Sequence, residues 1–131
     1  MVSEAVTGEF KLRLDPNRES PRRARVAMGD PLYEWGLGKL LDDATLVVSE
    51  LVSNAAKLGQ TFELTLTPNG RTLRIEVRDH SGDKPVMKTG MGNDRAEDGR
   101  GLLVVDALAD LWGFDARPDG GKVVWAVLTC P

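Results

Sequence analysis

One stretch of the sequence, residues 42–59 (DDATLVVSELVSNAAKLG), constrains the fold more than any other. Its apolar residues recur at the i, i+3, i+4, i+7 spacing of a helix that buries one face. A helix of this kind needs a second apolar layer against it, so the chain has to supply a sheet or further helices. The predicted inward stripe consists of Ala44, Val47, Val48, Leu51, Val52 and Ala55.

Two polar side chains, Glu50 and Asn54, fall at the margin of this stripe and not opposite it. Being four residues apart, they point within roughly 40° of each other, and Lys57 follows near the same edge. A carboxylate can accept a proton from a hydroxyl, and an amide oxygen suits Mg²⁺. Taken alone, such a pair is more often a solvated helix margin than a binding site. Other segments of the sequence are needed to distinguish the two.

The composition limits the class of protein. A chain of 131 residues with 41% hydrophobic and 28% charged residues fits one globular domain, which we expect to span residues 1–131 with a flexible tail over 1–8. A net charge of −3 disfavours a nucleic-acid binder. The single cysteine, Cys130, excludes an intrachain disulfide and a CxxC metal site. Without a leader or an apolar run of about 20 residues, we expect a cytoplasmic protein with no membrane partner.

The chain before residue 42 reads as a strand followed by helix. Residues 9–14 alternate apolar and polar side chains, which predicts a strand at an edge of the sheet. Ser20 and Pro21 predict a helix start with Ser20 as the cap. Asp30-Pro31 predicts either a kink in that helix or a second helix. Its arginines have two interpretations, a solvated face or a surface for an acidic protein partner: Arg22, Arg23 and Arg25.

After residue 59, two alternating runs flank the turn 68–70 and predict a β-hairpin. Residues 79–98 lack periodicity and predict a long functional loop. A helix is then expected directly after Gly101, and two alternating runs predict the last strands. The aromatic residues of the apolar segments are interpreted as core: Trp35, Trp112 and Trp125. The order predicts an α+β two-layer sandwich with a mixed, mostly antiparallel sheet and helices on one face.

Two further segments carry candidate binding chemistry. Asp79 ends a strand, where a carboxylate can accept a hydrogen bond from an exocyclic amine, and Ser81 and Gly82 let backbone approach a flat ring. Asp-x-Ser-Gly is equally typical of a turn. Glycines flanking Arg100, before Leu102, would expose amide donors toward an anion at a helix N-terminus. This GxG is neither a Walker loop nor a dinucleotide fingerprint.

Together, these segments resemble the N, G1 and G2 boxes of the GHKL ATPase superfamily. The closer resemblance is to the small anti-sigma-factor serine kinases and related ATP-binding regulators of actinobacteria. It rests on VVSELVSNAAKLG, IEVRDHSGDKP, EDGRGLLVVDALADLWG and GGKVVWAVL, and it extends from Arg22 to Leu128. The resemblance implies a Bergerat-type ATP-binding fold with ATP and Mg²⁺ as ligands.

The resemblance also assigns roles to single residues. Glu50 matches the general base toward an acceptor serine, and Asn54 matches the asparagine that binds Mg²⁺. Asp79 matches the aspartate that reads the adenine amino group, and residues 83–98 match the ATP lid. Other residues match the surroundings of the nucleotide: Lys57, Ser81, Gly82, Gly99, Arg100, Gly101 and Leu102.

The sequence departs from this family pattern at three positions. Ser81 and Asp83 occupy the usual second and third positions of the DxGxG box, and Leu58 stands where many relatives have a histidine. None of the three removes a group that the chemistry requires. We expect the hinging of the lid and the approach to the phosphates to differ from the family pattern.

This resemblance implies a serine/threonine-protein kinase of the anti-sigma-factor type. It would phosphorylate a serine of an anti-sigma-factor antagonist and sequester a sigma factor in the alternative complex. The alternative function is a protein-binding switch without catalysis, dependent on nucleotide or not. The N box favours the kinase, and the altered G1 box favours the switch. The edge strand at residues 9–14 either pairs two copies into a homodimer or is capped by the N-terminal tail.

Overall fold

The computed structural model describes residues 8–80 and 96–131, with side chains described over 8–80 and 102–131. None of the helices in this part of the chain is long and apolar enough to cross a membrane. The elements in chain order are β1 (Phe10–Leu14), α1 (Ser20–Ala27), α2 (Gly29–Glu34), a 3₁₀ turn (Gly38–Leu40), α3 (Leu41–Ala56), β2 (Phe62–Asn69), β3 (Thr72–Asp79), α4 (Ala96–Leu108), β4 (Leu111–Ala116) and β5 (Lys122–Thr129).

The five described strands form one sheet in the order β1-β2-β3-β5-β4. Each neighbouring pair is antiparallel. The predicted α+β fold is therefore confirmed, with a sheet that is antiparallel throughout these strands. β1 lies at one edge, as predicted, and the pairing of two copies through it stays a prediction. The last strand in the chain, β5, lies inside the sheet between β3 and β4.

The core lies between α3 and the sheet. α3 packs on β2, β3 and β5, and its flanks contact α1 and α4. All six residues of the predicted stripe are buried, which confirms the interpretation of residues 42–59. Each buried Val or Leu side chain contributes about 1.5–3 kcal/mol relative to an exposed one. The buried residues of the three central strands are Leu64, Leu66, Leu73, Ile75, Val77, Val124, Ala126 and Leu128.

The first two helices differ from the prediction at the start of α1. Ser20 is the first helical residue, and its hydroxyl donates to the carbonyl oxygen of Asp15. The predicted cap is therefore wrong, because the hydroxyl bonds to the chain before the helix and to no helical N–H. At Asp30 the second alternative is the correct one: α2 is a separate helix.

The start of α4 also differs from the prediction. The helix begins at Ala96, so residues 99–101 lie within it and the predicted start after Gly101 is wrong. Ala and Glu are strong helix formers, and an acidic residue in the first turn favours a helix N-terminus. These local preferences extend the helix toward the amino end. Residues 96–98, which the sequence analysis assigned to the lid, are the first residues of α4. Residues 1–7 and 81–95 lie outside the described residues, so the tail and the rest of the lid stay predictions.

Trp125 is not a core residue. It lies half-buried on the face of the sheet opposite the buried residues of β5, and the guanidinium carbon of Arg74 lies 4.7 Å from its ring centroid. A Cβ on Gly113 would lie 2.9 Å from the indole ring, so glycine permits this packing. The core interpretation is wrong here because both faces of β5 are apolar. Trp35 and Trp112 pack against the core.

Candidate functional site

The end of β3 holds a buried carboxylate. Asp79 lies directly opposite Lys122 of β5 in the strand register. Lys122 Nζ lies 3.0 Å from Asp79 Oδ2, and the side chains of Asp79 and Lys122 are only 5% and 8% exposed. Removing two charges from water costs several kcal/mol each, which their mutual attraction has to offset. Asp79 is thus held in the interior as one half of an ion pair, at the strand end where the sequence predicts base recognition.

The turn between β4 and β5 is packed tightly against this strand end. A Cβ on Gly121 would lie 2.3 Å from the carbonyl oxygen of Asp79 and 3.2 Å from the Cα of His80. On the other side of β3, Arg78 forms an ion pair with Asp119 of the same turn. The turn therefore contacts the end of β3 both at its backbone and at the Arg78 side chain, and only glycine fits at position 121.

Gly121→Ala should destabilise the protein by about 1–3 kcal/mol, the usual cost of an inserted methyl group that forces backbone to move. Chemical denaturation measures this loss of unfolding free energy. Gly29→Ala is the matched control, since a Cβ there meets nothing within 4 Å. Equal unfolding free energies for Gly121→Ala and the control would contradict the close approach.

Among the described residues, Asp119 has a clearly shifted pKa. Its Oδ1 accepts a hydrogen bond from the backbone N–H of Gly121 at 3.1 Å. This bond is the main reason that the pKa of Asp119 lies below its ordinary value of 3.8; desolvation opposes the shift, and the Arg78 guanidinium adds to it. The turn that holds β3 is therefore weakened in acid.

Asp119→Asn should make the unfolding free energy less dependent on pH in acid. Because the folded pKa is the lower one, the carboxylate stabilises the protein fully above about pH 3.8 and loses this contribution as pH falls through the folded pKa. Urea unfolding from about pH 5 to pH 2 should then show a steeper loss for the native protein. Asp115→Asn, an exposed carboxylate of β4, is the control and should follow the native curve. Parallel curves for Asp119→Asn and the native protein would contradict the argument.

The polar margin of α3 lies where the sequence predicts it. Glu50 and Asn54 are half-buried, next to the fully buried stripe. α3 packs against β3, which ends at Asp79, and against α4, whose first turns contain Gly99–Gly101. The structure thus brings together the three elements that carry the candidate residues. Lys57 follows the end of α3 and is exposed.

The remaining predicted residues lie on α4 or before it. The N–H groups that lack helical partners are those of a first turn, and here this turn is 96–99. Gly99 is therefore at its end, and Arg100 and Gly101 follow it. Leu102 is 2% exposed, so its side chain belongs to the interior. Ser81 and Gly82 lie outside the described residues.

A family model described as "Histidine kinase-like ATPase domain" matches residues 16–128, which is most of the chain. The chain belongs to the histidine kinase-like ATPase family. A solved structure of the RsbU and RsbW domains of Rv1364c from Mycobacterium tuberculosis shares the fold, with a TM-score of 0.68 and 19% identity over 94% of this chain and 32% of that chain. The family assignment confirms the resemblance to the ATPase superfamily drawn from the three boxes, and the solved structure confirms the fold.

A curated relative of this ATPase domain is the uncharacterized protein SCO4941 of Streptomyces coelicolor. It is 39% identical over 59 residues, which is 45% of this chain and 55% of that protein. The chain therefore spans about half the length of this relative and about a third of the solved chain.

The described residues of this histidine kinase-like ATPase domain fit the ligands that the family implies. Asp79 is a buried carboxylate, a group that can accept a hydrogen bond from a base amine. Asn54 and Glu50 supply an amide oxygen and a carboxylate on a rigid helix. These are the hard oxygen ligands and acceptors that Mg-ATP requires.

No pattern in the sequence of this ATPase domain marks Lys122 as a residue of the site. Its position in the inward register of β5 depends on the pairing with β3, which no local pattern gives. One signal was present: a lysine interrupts the apolar alternation that continues through Val124, Ala126 and Leu128.

Proposed function

We propose that this protein is a Mg-ATP-binding regulator of the anti-sigma-factor kinase type. It phosphorylates a serine of an antagonist protein and, in the alternative complex, sequesters a sigma factor. The observation that carries the proposal is the buried Asp79 carboxylate at the end of β3, on which α3 packs with Glu50 and Asn54 at its margin. Family membership supports ATP as the ligand, and the motif resemblance supports the anti-sigma-factor group.

In this proposal Asp79 accepts a hydrogen bond from the exocyclic amine of adenine, and Asn54 binds Mg²⁺ through its amide oxygen. No three His, Cys, Asp or Glu side chains converge into a metal site within the described residues. Asn54 would therefore share the metal with phosphate oxygens and water, the usual coordination of Mg²⁺ beside a nucleotide. The backbone of the first turns of α4, with Lys57, would lie toward the phosphates.

Glu50 acts on the acceptor serine of the antagonist protein. Bound ATP would supply the γ-phosphoryl group and leave as ADP, and Mg²⁺ would neutralise negative charge on the phosphates. The Glu50 carboxylate takes the proton from the hydroxyl of the acceptor serine and holds it on a carboxylate oxygen. The buried stripe of α3 fixes the helix backbone that carries Glu50.

The basic start of α1 suits an acidic protein partner. Arg22, Arg23 and Arg25 are all exposed, with the neighbouring Val26 74% exposed. A basic surface with an apolar side chain favours a partner segment that is acidic and amphipathic. This agrees with a protein partner and supports the proposed complexes with an antagonist and a sigma factor.

Calorimetric titration of the native protein with ATP and Mg²⁺ tests the nucleotide part of the proposal. We expect saturable binding, and the absence of binding at millimolar ATP would overturn it. Transfer of label from γ-labelled ATP to a serine of a copurifying protein tests the kinase. Binding without transfer to any partner would instead favour the switch without catalysis.

A further inference from the structure

The ion pair between β3 and β5 is an unusual choice for the interior of this sheet. Lys122 is 8% exposed at its side chain and shares the inward register of β5 with Val124, Ala126 and Leu128. An apolar pair of similar volume commonly gives equal or greater stability than a buried ion pair. Stability alone therefore does not account for a lysine at this position.

The position of Lys122 relative to Asp79 indicates what it does. Its ammonium lies 3.0 Å from one carboxylate oxygen, Oδ2, and the backbone of the two residues is fixed by direct cross-strand pairing. The close approach of Gly121 to the carbonyl of Asp79 removes further freedom from this end of β3. An acceptor that is held in one orientation loses less entropy when it receives a hydrogen bond.

We propose that Lys122 is a positioning residue that fixes the Asp79 carboxylate and thereby sets a preference for 6-amino over 6-oxo purine nucleotides. The inference rests on the proposed function, in which Asp79 accepts a hydrogen bond from the adenine amine. A 6-oxo purine presents a carbonyl oxygen in place of that amine, which a fixed carboxylate repels. A carboxylate that can rotate away discriminates less between the two.

Lys122→Met tests the proposal by calorimetric titration with ATP and with inosine triphosphate, which carries the carbonyl in place of the amine. The ratio of the two affinities should fall by about 5-fold or more relative to the native protein, the value of one well-placed hydrogen bond. Lys11→Met is the matched control. It removes an ion-paired lysine of β1 from the opposite face of the sheet, and it should keep the native ratio.

A purely structural role for Lys122 would weaken binding of both nucleotides by the same factor and leave their ratio unchanged. An unchanged or larger ratio in Lys122→Met, with ATP binding intact in the native protein, overturns this inference alone. Absence of ATP binding by the native protein overturns the proposed function and the inference with it.

A double-mutant cycle adds an unfolding measurement to the binding measurement. Asp79→Asn, Lys122→Met and the double variant form a cycle whose unfolding is measured without nucleotide. The double variant buries no unpaired charge, so it should fold even if Lys122→Met alone does not. We expect the double variant to lose less unfolding free energy than the two single variants lose together. Its affinity for ATP should equal that of Asp79→Asn. A further loss of ATP affinity on adding Lys122→Met to Asp79→Asn would overturn the inference, because Lys122 would then act independently of Asp79.

Discussion

Asp79→Asn should weaken ATP binding by about 5- to 150-fold, which corresponds to the 1–3 kcal/mol lost when a buried polar contact is spoiled. The asparagine keeps the shape of the side chain but carries no charge, and it leaves Lys122 buried without its charged partner. Calorimetric titration with ATP and Mg²⁺ measures the effect. Unfolding curves at the titration temperature must show that the variant is folded.

Glu76→Gln is the matched control for this experiment. It also removes one negative charge from an ion-paired carboxylate of β3, but on the opposite face of the strand, where Glu76 Oε2 lies 2.6 Å from Arg74 Nε. Its ATP affinity should equal that of the native protein. Equal weakening in both variants would mean that net charge and not the Asp79 contact determines binding.

Glu50→Ala should reduce phosphoryl transfer to the partner serine by about 10²- to 10⁴-fold while ATP binding stays within a small factor of native. The reason is that Glu50 acts on the hydroxyl of the acceptor and not on the nucleotide. Single-turnover transfer of label from γ-labelled ATP to the copurified partner measures the rate. Titration with ATP on the same preparation measures the binding.

Asp43→Ala serves as the control on the same helix. Asp43 is an exposed carboxylate in the first turn of α3, on the same side of the helix as Glu50 but two turns, about 10 Å, before it. This variant should transfer the phosphoryl group at the native rate. If Glu50→Ala also did so, Glu50 could not be the general base, and a parallel loss of ATP binding would assign it to the nucleotide site instead.

The sequence predicted the structure best where its local signals agreed. The stripe of α3 is fully buried because helical periodicity and apolar character both select the same face. The polar margin at Glu50 and Asn54 followed from the same geometry. Asp79 was placed correctly at the end of β3, since a single alternating run leads directly to it.

The prediction failed where two local signals disagreed, or where a contact between distant parts of the chain determined the structure. In β5 both faces are apolar, so alternation could not tell that Val124 faces inward and Trp125 outward. At the start of α4 the glycines suggested a helix boundary, whereas the helix formers before them extended it to Ala96. The pairing of Lys122 with Asp79 required the register between strands that are separated by more than 40 residues, which no local pattern contains.

The internal position of β5 has a consequence for biosynthesis. β3 gains its second neighbour, and Asp79 its lysine, only from a strand that follows β4 in the chain. A nascent chain that has emerged only as far as β4 therefore contains all the residues of the three boxes but presents an open edge at β3. In the proposed site, Asp79 would therefore meet Lys122 only after β5 has left the exit tunnel.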